Sequence, residues 1–355
     1  MNTPRPGSRN LQFILCAALM STALGFCAPS FAPVAHATAA EENAPRESQP
    51  NRRDAGGTTT SQAQTIQDAH DANTVVYQVA PNEADSELKR FLRPNYALFN
   101  RGVAANAELL VFFPGTTADP KGSWPFLESG AKAGYRVIGL DYDNGDSVPQ
   151  ICGPNPDPAC SDRFREKRIF GDGASKEIDD LPGESVVNRL VKLLQYLAAH
   201  HPDDGWGGYL ANGQPNWARI VVAGHSQGGG IAAYIAKKEK VARVIVLSGA
   251  ADRVEATKVW APWVTSPSAT PLDRWYAAYH QKETRADAMK AAYAVIGIPP
   301  AHIRAFTLEP NPAAKTPPGA DTYHMSMSGA EITPRDANGQ PAYAPDWAFL
   351  LGAQK

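Results

Sequence analysis

The chain carries the motif Gly-His-Ser-Gln-Gly at positions 224–228, directly after the apolar run 220–223. This order is typical of a serine on a sharp strand-to-helix turn, where only small residues two positions before and after it let the backbone come so close. The Ser226 hydroxyl would stand free above the sheet, and the Gln227 amide would lie at a helix N-terminus, where it can donate to an oxyanion. The motif predicts Ser226 as a nucleophile. A chance match in a glycine-rich chain is the alternative.

A serine nucleophile needs two further groups. Its hydroxyl reacts slowly near neutral pH unless a base lies within hydrogen-bonding reach, and a carboxylate must orient that base. Three histidines follow Ser226 in the chain, at His280, His302 and His324. His302 directly precedes an apolar strand and is expected at the opposite edge of the sheet, whereas His324 follows the last strand through a loop and is expected at the edge of Ser226. We predict His324 as the base, with His280 as its main rival.

The elements that must position these groups are apolar strands alternating with amphipathic helices, a pattern typical of a largely parallel sheet with helices on both faces. Besides the strand before Ser226, strands are predicted at 75–79, 109–113, 135–140, 242–247, 275–279 and 303–308. Helices are predicted at 124–133, 185–200 and 345–351, and 141–176 is predicted to be a loop. The sequence therefore predicts a single α/β domain at 74–355, without an internal repeat.

The N-terminal segment has the character of a secretory signal peptide. Arg5 and Arg9 give it a positive start, and the apolar stretch 11–26 is too short to span a membrane. Ala-His-Ala at 35–37 then offers a cleavage site with small residues at the required positions. We interpret residues 1–37 as a signal peptide, and we expect a periplasmic or secreted protein.

Three alternatives remain for this segment, and a polar linker follows it. Cleavage could use the site at 37–39, the segment could stay as an uncleaved anchor, or a lipid could be attached to Cys27, although the bulky Phe26 disfavours lipid attachment. Residues 38–73 are polar and charged without a sustained apolar period, so we interpret them as a disordered linker.

Charge argues against a nucleic-acid partner. The formal net charge of the 355 residues is −2 at pH 7, and removal of 37 residues carrying two arginines and no acid leaves 318 residues with a charge of −4. Nucleic acids select strongly basic surfaces, so we expect no nucleic-acid partner. We also expect no membrane span in the mature protein.

The cysteines predict one disulfide bond. Cys16 and Cys27 would leave with the signal peptide, so the mature chain would keep only Cys152 and Cys160, which flank a proline-rich stretch. In an oxidising compartment two such cysteines are expected to pair. A metal site is the alternative, but no further cysteine or nearby histidine could complete the ligand set. We therefore predict the disulfide and no metal.

The strand–turn–helix context of Ser226 resembles the α/β-hydrolase family. The resemblance extends over 75–351 and includes the strand at 109–113 followed by Pro-Gly-Thr, the segment Gly-Leu-Asp-Tyr at 139–142, and the serine motif itself. Within the family, the chain looks most like a poorly characterised group of exported bacterial hydrolases. The resemblance implies an α/β-hydrolase fold with a mostly parallel central sheet.

The family resemblance also implies the remaining site residues. A second oxyanion amide would come from Thr116 or Thr117, beside that of Gln227, although the chain lacks the His-Gly-Gly-Gly form of this loop. The family order is serine, acid, histidine. It favours Glu283, which follows the predicted strand at 275–279, over Asp252. Two further carboxylates are weaker candidates, Asp287 and Asp321.

Together these features predict a serine hydrolase that cleaves a carboxylic ester through an acyl-enzyme intermediate. Ser226 would attack, His324 would transfer the proton, and Glu283 would orient the imidazole. The partner would be a small-molecule or lipid-like ester, and no metal or organic cofactor is expected. A lipase or polyester depolymerase is one alternative, and a catalytically inactive binding protein on a hydrolase scaffold is the other.

Overall fold

The computed structural model of the chain describes residues 73–173 and 175–353. The predicted signal peptide at 1–37 lies outside these residues, and so does the predicted linker at 38–73 apart from its last residue. Both therefore stay predictions. Within the described ranges, no helix is long and apolar enough to cross a membrane.

The described part of the chain is organised around an eight-stranded sheet. In chain order, the strands of the described residues are β1 (Thr74–Val79), β2 (Asn95–Asn100), β3 (Leu109–Phe113), β4 (Arg136–Gly139), β5 (Leu210–Ala211), β6 (Gln214–Pro215), β7 (Ile220–His225), β8 (Arg243–Leu247), β9 (Trp275–His280) and β10 (Ile303–Phe306). β5 and β6 form a short hairpin separate from the main sheet. The spatial order in the sheet is β1-β2-β4-β3-β7-β8-β9-β10. β2 pairs antiparallel with β1 and β4, and all other neighbours are parallel.

Helices cover both faces of the sheet. In chain order they are α1 (Pro81–Ala84), α2 (Trp124–Lys132), α3 (Val148–Ile151), α4 (Cys160–Phe170), α5 (Val186–His200), α6 (Gln227–Lys238), α7 (Pro262–Thr265), α8 (Ala286–Ile296), α9 (Thr322–Met325) and α10 (Ala344–Leu351). Apolar side chains of α5, α6 and α8 pack on one face, and those of α2 and α10 pack on the other. Burial of both faces explains why the central strands are almost wholly apolar.

The structure confirms the α/β-hydrolase fold class and the predicted strands and helices within one or two residues at most ends. The prediction of a loop at 141–176 was wrong, because α4 lies within it. The helix was missed because its inward side carries arginines, which a hydrophobic pattern scores as exposed. Arg165 and Arg168 are each only 2% exposed and pair with Asp252 and Asp180. β2 and α8 were also missed.

The predicted disulfide is present. Cys152 caps α3 and Cys160 begins α4, and their Cα atoms are 5.6 Å apart. Both side chains are buried in a small apolar cluster with Val148, Phe164 and Ile178. The bond therefore ties the start of α4, which carries Arg165, to the segment that follows β4.

Removing this disulfide is expected to lower the free energy of unfolding by about 2–3 kcal/mol, since the bond closes a short loop and restricts the unfolded chain. Urea unfolding of the Cys152→Ala/Cys160→Ala protein, compared with the wild type before and after reduction, measures the effect. Reduction of the wild type controls for the lost side-chain volume. Two free thiols in protein prepared under oxidising conditions would contradict the assignment.

Candidate active site

Ser226 stands on a strained turn between β7 and α6. Its φ is +55°, in a region that residues other than glycine rarely occupy, and its amide donates to the Leu247 carbonyl at 2.8 Å. A Cβ atom at Gly224 would lie 2.3 Å from the Gly228 carbonyl, and one at Gly228 would lie 2.0 Å from the Phe113 carbonyl oxygen. Both glycines are therefore required by close backbone contacts, which is the reason the sequence motif predicts this turn.

The Ser226 side chain faces a cavity of about 290 Å³. His324 and Gln227 line the same cavity. Among the described residues, the Ser226 hydroxyl has no hydrogen-bond partner, so it is free to meet a ligand. In the same part of the chain, no group of three or more His, Cys, Asp or Glu side chains is arranged to hold a metal ion.

His324 is held by a buried carboxylate. Its Nδ1 lies 2.6 Å from Oε2 of Glu283, whose side chain is fully buried. The other carboxylate oxygen, Oε1, accepts hydrogen bonds from the Ser248 hydroxyl at 2.9 Å and from the His280 amide at 3.1 Å. Because Nδ1 carries the hydrogen of the hydrogen bond to Glu283, Nε2 is the ring nitrogen left to accept a proton.

Asp321 positions the backbone of His324. It is the N-cap of α9, and its Oδ1 accepts the His324 amide at 3.0 Å while Oδ2 accepts the Thr284 amide at 2.7 Å. Burial alone would raise the pKa of Asp321, but these hydrogen bonds outweigh burial and lower it. Asp321 thus joins the acid loop to the base loop. Asp287, the other weaker candidate, is exposed in the first turn of α8.

His225 holds the loop that carries His324 through a hydrogen bond to the backbone of that loop. Its Nε2 donates to the His324 carbonyl oxygen at 2.8 Å, and the two ring centroids lie 4.6 Å apart. Burial, with the neighbouring imidazole as a smaller cause, lowers the pKa of His225 to about 3. The ring is therefore neutral and acts as a fixed hydrogen-bond donor to the backbone of His324.

The two rival histidines are used elsewhere. Nδ1 of His280 accepts the Lys282 amide at 3.0 Å, and its Nε2 donates to the Leu308 carbonyl at 3.0 Å, so neither nitrogen is free. His302 lies just before β10 and its Nδ1 is 3.1 Å from the Trp275 carbonyl oxygen. Both partners of that contact lie at the amino ends of parallel strands, at the sheet edge opposite the serine turn, as predicted.

Asp252 has a different role from the one considered for it. It lines the cavity, but Arg165 binds both of its oxygens, with Nη2 at 2.9 Å from Oδ1. The Ser161 hydroxyl and the Trp263 indole donate to Oδ2 at 2.6 and 3.0 Å. Burial alone would raise the pKa of Asp252, but these partners, led by Arg165, lower it. The structure therefore brings Glu283 to the histidine ring and leaves Asp252 in a buried ion pair.

Two amides are available for an oxyanion. Gln227 is the first residue of α6, so its amide has no acceptor within the helix. Of the two threonines considered with it, Thr117 donates its amide to the Asn144 carbonyl at 2.9 Å and is therefore engaged. Thr116 lines the cavity, and its hydroxyl donates to Oε1 of Gln227 at 2.9 Å. Of the two threonine amides, that of Thr116 therefore remains the candidate to act beside the Gln227 amide.

The loop after β3 is held by the buried side chain of Asn144. Its Nδ2 donates to the carbonyls of Gly115 at 2.7 Å and Ala118 at 2.8 Å. Its Oδ1 accepts from Arg93 at 2.7 Å, and the same guanidinium donates to the Thr117 carbonyl at 2.8 Å. This network fixes the backbone around Thr116.

Sequence reasoning missed several residues that hold the site, namely Asn144, Ser248 and Arg165. No local pattern marks them, because each acts on a segment distant in sequence. Asp321 was considered only as a rival acid, although an aspartate three residues before His324 is a helix N-cap signal that points to its observed role.

A family model and several solved structures are similar to this chain. The model described as the alpha/beta hydrolase family matches residues 110–352. No curated protein matches the chain. Similar solved structures include the bacterial heroin esterase (13% identity, TM-score 0.42, covering 80% of this chain and 86% of that chain). An esterase from the bacterial hormone-sensitive lipase family is also similar (16% identity, TM-score 0.39, covering 80% of this chain and 86% of that chain). Another is carboxyl esterase 2 from the mycorrhizal fungus Tuber melanosporum (10% identity, TM-score 0.38, covering 82% of this chain and 90% of that chain). Since this family model matches more than half of the chain, the chain belongs to the α/β hydrolase family.

Proposed function

We propose that this protein is a serine hydrolase that cleaves carboxylic esters through an acyl-enzyme intermediate. The observation that carries the proposal is the 2.6 Å contact between His324 Nδ1 and Glu283 Oε2, because His324 lines the same cavity as Ser226 on its strained turn. A buried acid that orients a histidine next to such a serine is the arrangement that converts a weak nucleophile into a strong one.

In the proposed reaction, Ser226 Oγ attacks the ester carbonyl and passes its proton to His324 Nε2. The negative charge on the carbonyl oxygen is stabilised by the amides of Gln227 and Thr116, and loss of one such donor typically costs about 3 kcal/mol. His324 then protonates the departing alcohol, and Glu283 stabilises the imidazolium. Water, activated by the same histidine, attacks the acyl-serine and releases the acid.

The cavity argues against a long apolar acyl chain. A lipase or polyester depolymerase needs an extended apolar groove, whereas the cavity beside Ser226 measures only about 290 Å³. The second alternative, a catalytically inactive binding protein, is disfavoured by the serine on its strained turn and by the His324–Glu283 contact. We therefore propose a small ester as substrate.

Export of the protein to the periplasm or the medium is also proposed. The Cys152–Cys160 disulfide supports it, because disulfides persist in oxidising compartments and are rare in the cytosol.

A fluorophosphonate probe and a series of alkyl esters test the proposed activity. The probe is expected to label Ser226, identified by peptide mass mapping, and kcat/KM should fall as the acyl chain outgrows the cavity. Folded protein that neither reacts with the probe nor hydrolyses any ester of the series would contradict the proposal.

A further inference from the structure

The carboxylate that holds His324 is buried without an arginine or lysine beside it. The Glu283 side chain is fully buried, and its one ion-pair partner within the described residues is His324. The lysine before it in the chain, Lys282, pairs with Glu309 instead. A buried carboxylate keeps its charge only where hydrogen bonds or opposite charges replace the lost water. The charge of Glu283 therefore depends on its few hydrogen-bond donors.

Three donors surround this carboxylate. Nδ1 of His324 donates to Oε2 at 2.6 Å. The other oxygen, Oε1, accepts from the His280 amide at 3.1 Å and from the Ser248 hydroxyl at 2.9 Å. His324 itself takes up and releases a proton in the proposed reaction, and the amide belongs to the backbone. Apart from His324, Ser248 is thus the one side chain in the described part of the chain that donates to the acid.

Backbone contacts fix the position of Ser248. It directly follows β8, and its amide donates to the Ala278 carbonyl of β9 at 2.8 Å. Its φ is +48°, in a region that is strained for residues other than glycine. The carbonyl of the preceding Leu247 accepts the Ser226 amide at 2.8 Å. One short segment therefore joins the serine turn to the acid, and its strained backbone lies where the Ser248 hydroxyl reaches Glu283.

The other ionisable groups around the acid–histidine pair are held in one state or have partners of their own. Burial lowers the pKa of His225 to about 3 and raises that of Tyr293 well above its ordinary value, so both are neutral. Both ring nitrogens of His280 are engaged, and Asp321 accepts two backbone amides. Charged side chains of the neighbouring loops and the cavity wall form separate ion pairs, namely Lys282–Glu309, Arg285–Glu255 and Arg165–Asp252.

We propose that Ser248 is a positioning residue that sets the basicity of His324 through Glu283. Its hydroxyl donates to Oε1, stabilises the charge of the carboxylate and keeps Oε2 turned to the imidazole. Without this donor the carboxylate would hold a proton, or an imidazolium beside it, more strongly, so the acid–histidine pair would take up its proton at higher pH. The inference rests on the esterase function proposed above, in which a neutral imidazole accepts the serine proton.

The Ser248→Ala protein tests this role through the pH dependence of kcat/KM for a short alkyl ester. On the acid side, this profile reports protonation of the base in the free enzyme. Its midpoint should move to higher pH by about 0.5 to 1 unit, so that kcat/KM well below the midpoint falls about three- to tenfold, while the plateau at higher pH changes less. An equal loss at every pH, without a shift of the midpoint, would overturn the proposal.

Two further variants assign the shift to the hydroxyl. Ser248→Gly removes the same group and also relieves the strain at the positive φ, so it should show the shift even if the alanine protein does not fold. Ser328→Ala is the matched control, because Ser328 and Ser248 are both 1% exposed but the Ser328 hydroxyl contacts that of Ser123 at 3.2 Å. The control should keep the wild-type midpoint. The same shift in Ser328→Ala would contradict the assignment.

An NMR titration separates failure of this inference from failure of the esterase proposal. The ring signals of His324, assigned by comparison with a His324→Gln protein, are followed against pH without substrate. If the wild type hydrolyses no ester, the proposed activity falls, but a higher titration midpoint of the His324 ring in Ser248→Ala still supports the role of Ser248. Equal midpoints in the wild-type and Ser248→Ala proteins overturn it, whether or not esters are hydrolysed.

Discussion

The Ser226→Ala protein is expected to lose ester hydrolysis, with kcat lowered by about a millionfold, while its fold stays intact. The serine hydroxyl makes no hydrogen bond within the described residues, so its removal breaks no contact that holds the turn. The turn depends on the glycines at 224 and 228 and on the amide contact to Leu247, all of which remain. Alanine carries the same Cβ atom as serine, so the substitution adds no strain at the positive φ of this position.

Steady-state kinetics and urea unfolding on the same preparation check this result. Ser129→Ala provides a control, since the Ser129 hydroxyl only donates to the Pro125 carbonyl within α2. The control should keep its activity. Turnover above a few per cent in the Ser226→Ala protein would end the serine-hydrolase proposal.

The Glu283→Gln protein should lose up to about ten-thousandfold in kcat with little change in KM. A glutamine can still accept the hydrogen bonds from Ser248 and the His280 amide through one oxygen. Its amide group would then face Nδ1 of His324, where the carboxylate now accepts a hydrogen bond, and would favour the wrong tautomer. The loss is thus expected in the proton transfer and not in substrate binding.

Asp252→Asn is the matched comparison, since it also neutralises a buried acid in the wall of the same cavity. Its main effect should be on stability, because Arg165 would lose the opposing charge that it contacts through two nitrogens. Breaking a buried ion pair typically costs about 3–5 kcal/mol. Turnover of the folded protein should fall far less than in Glu283→Gln.

The opposite pattern, a large loss of kcat in Asp252→Asn with Glu283→Gln nearly normal, would make Asp252 the acid and leave Ser226 and His324 in their roles. If neither substitution lowers kcat, the assignment of His324 also falls, because a base without a carboxylate to orient it implies that the wrong histidine was chosen.

The sequence by itself determined the fold class and the serine turn. The apolar strands of the parallel sheet are recognisable because burial on both faces leaves them almost wholly hydrophobic. The turn at Ser226 depends on residues within five consecutive positions, where the steric requirement for glycine acts locally. The pairing of Cys152 with Cys160 was also predictable, because the two lie eight positions apart and no other cysteine would remain after removal of the predicted signal peptide.

Only the tertiary structure decided which carboxylate meets the histidine and which of the two threonine amides already has a hydrogen-bond acceptor. Glu283 and His324 are 41 positions apart, and the loops that carry them follow different strands, so their 2.6 Å contact depends on how both loops fold over the sheet. The choice between Thr116 and Thr117 depended likewise on Asn144, whose carbonyl accepts one of the two amides.

The helix α4 was likewise revealed only by the tertiary structure. Its buried arginines pair with acids that a sequence pattern cannot place beside them. Hydrophobic periodicity reports which side chains avoid water, and it carries no information on which buried charges find each other. Those contacts form only when distant segments pack together, and for that reason the cavity beside Ser226 could not be anticipated from the sequence.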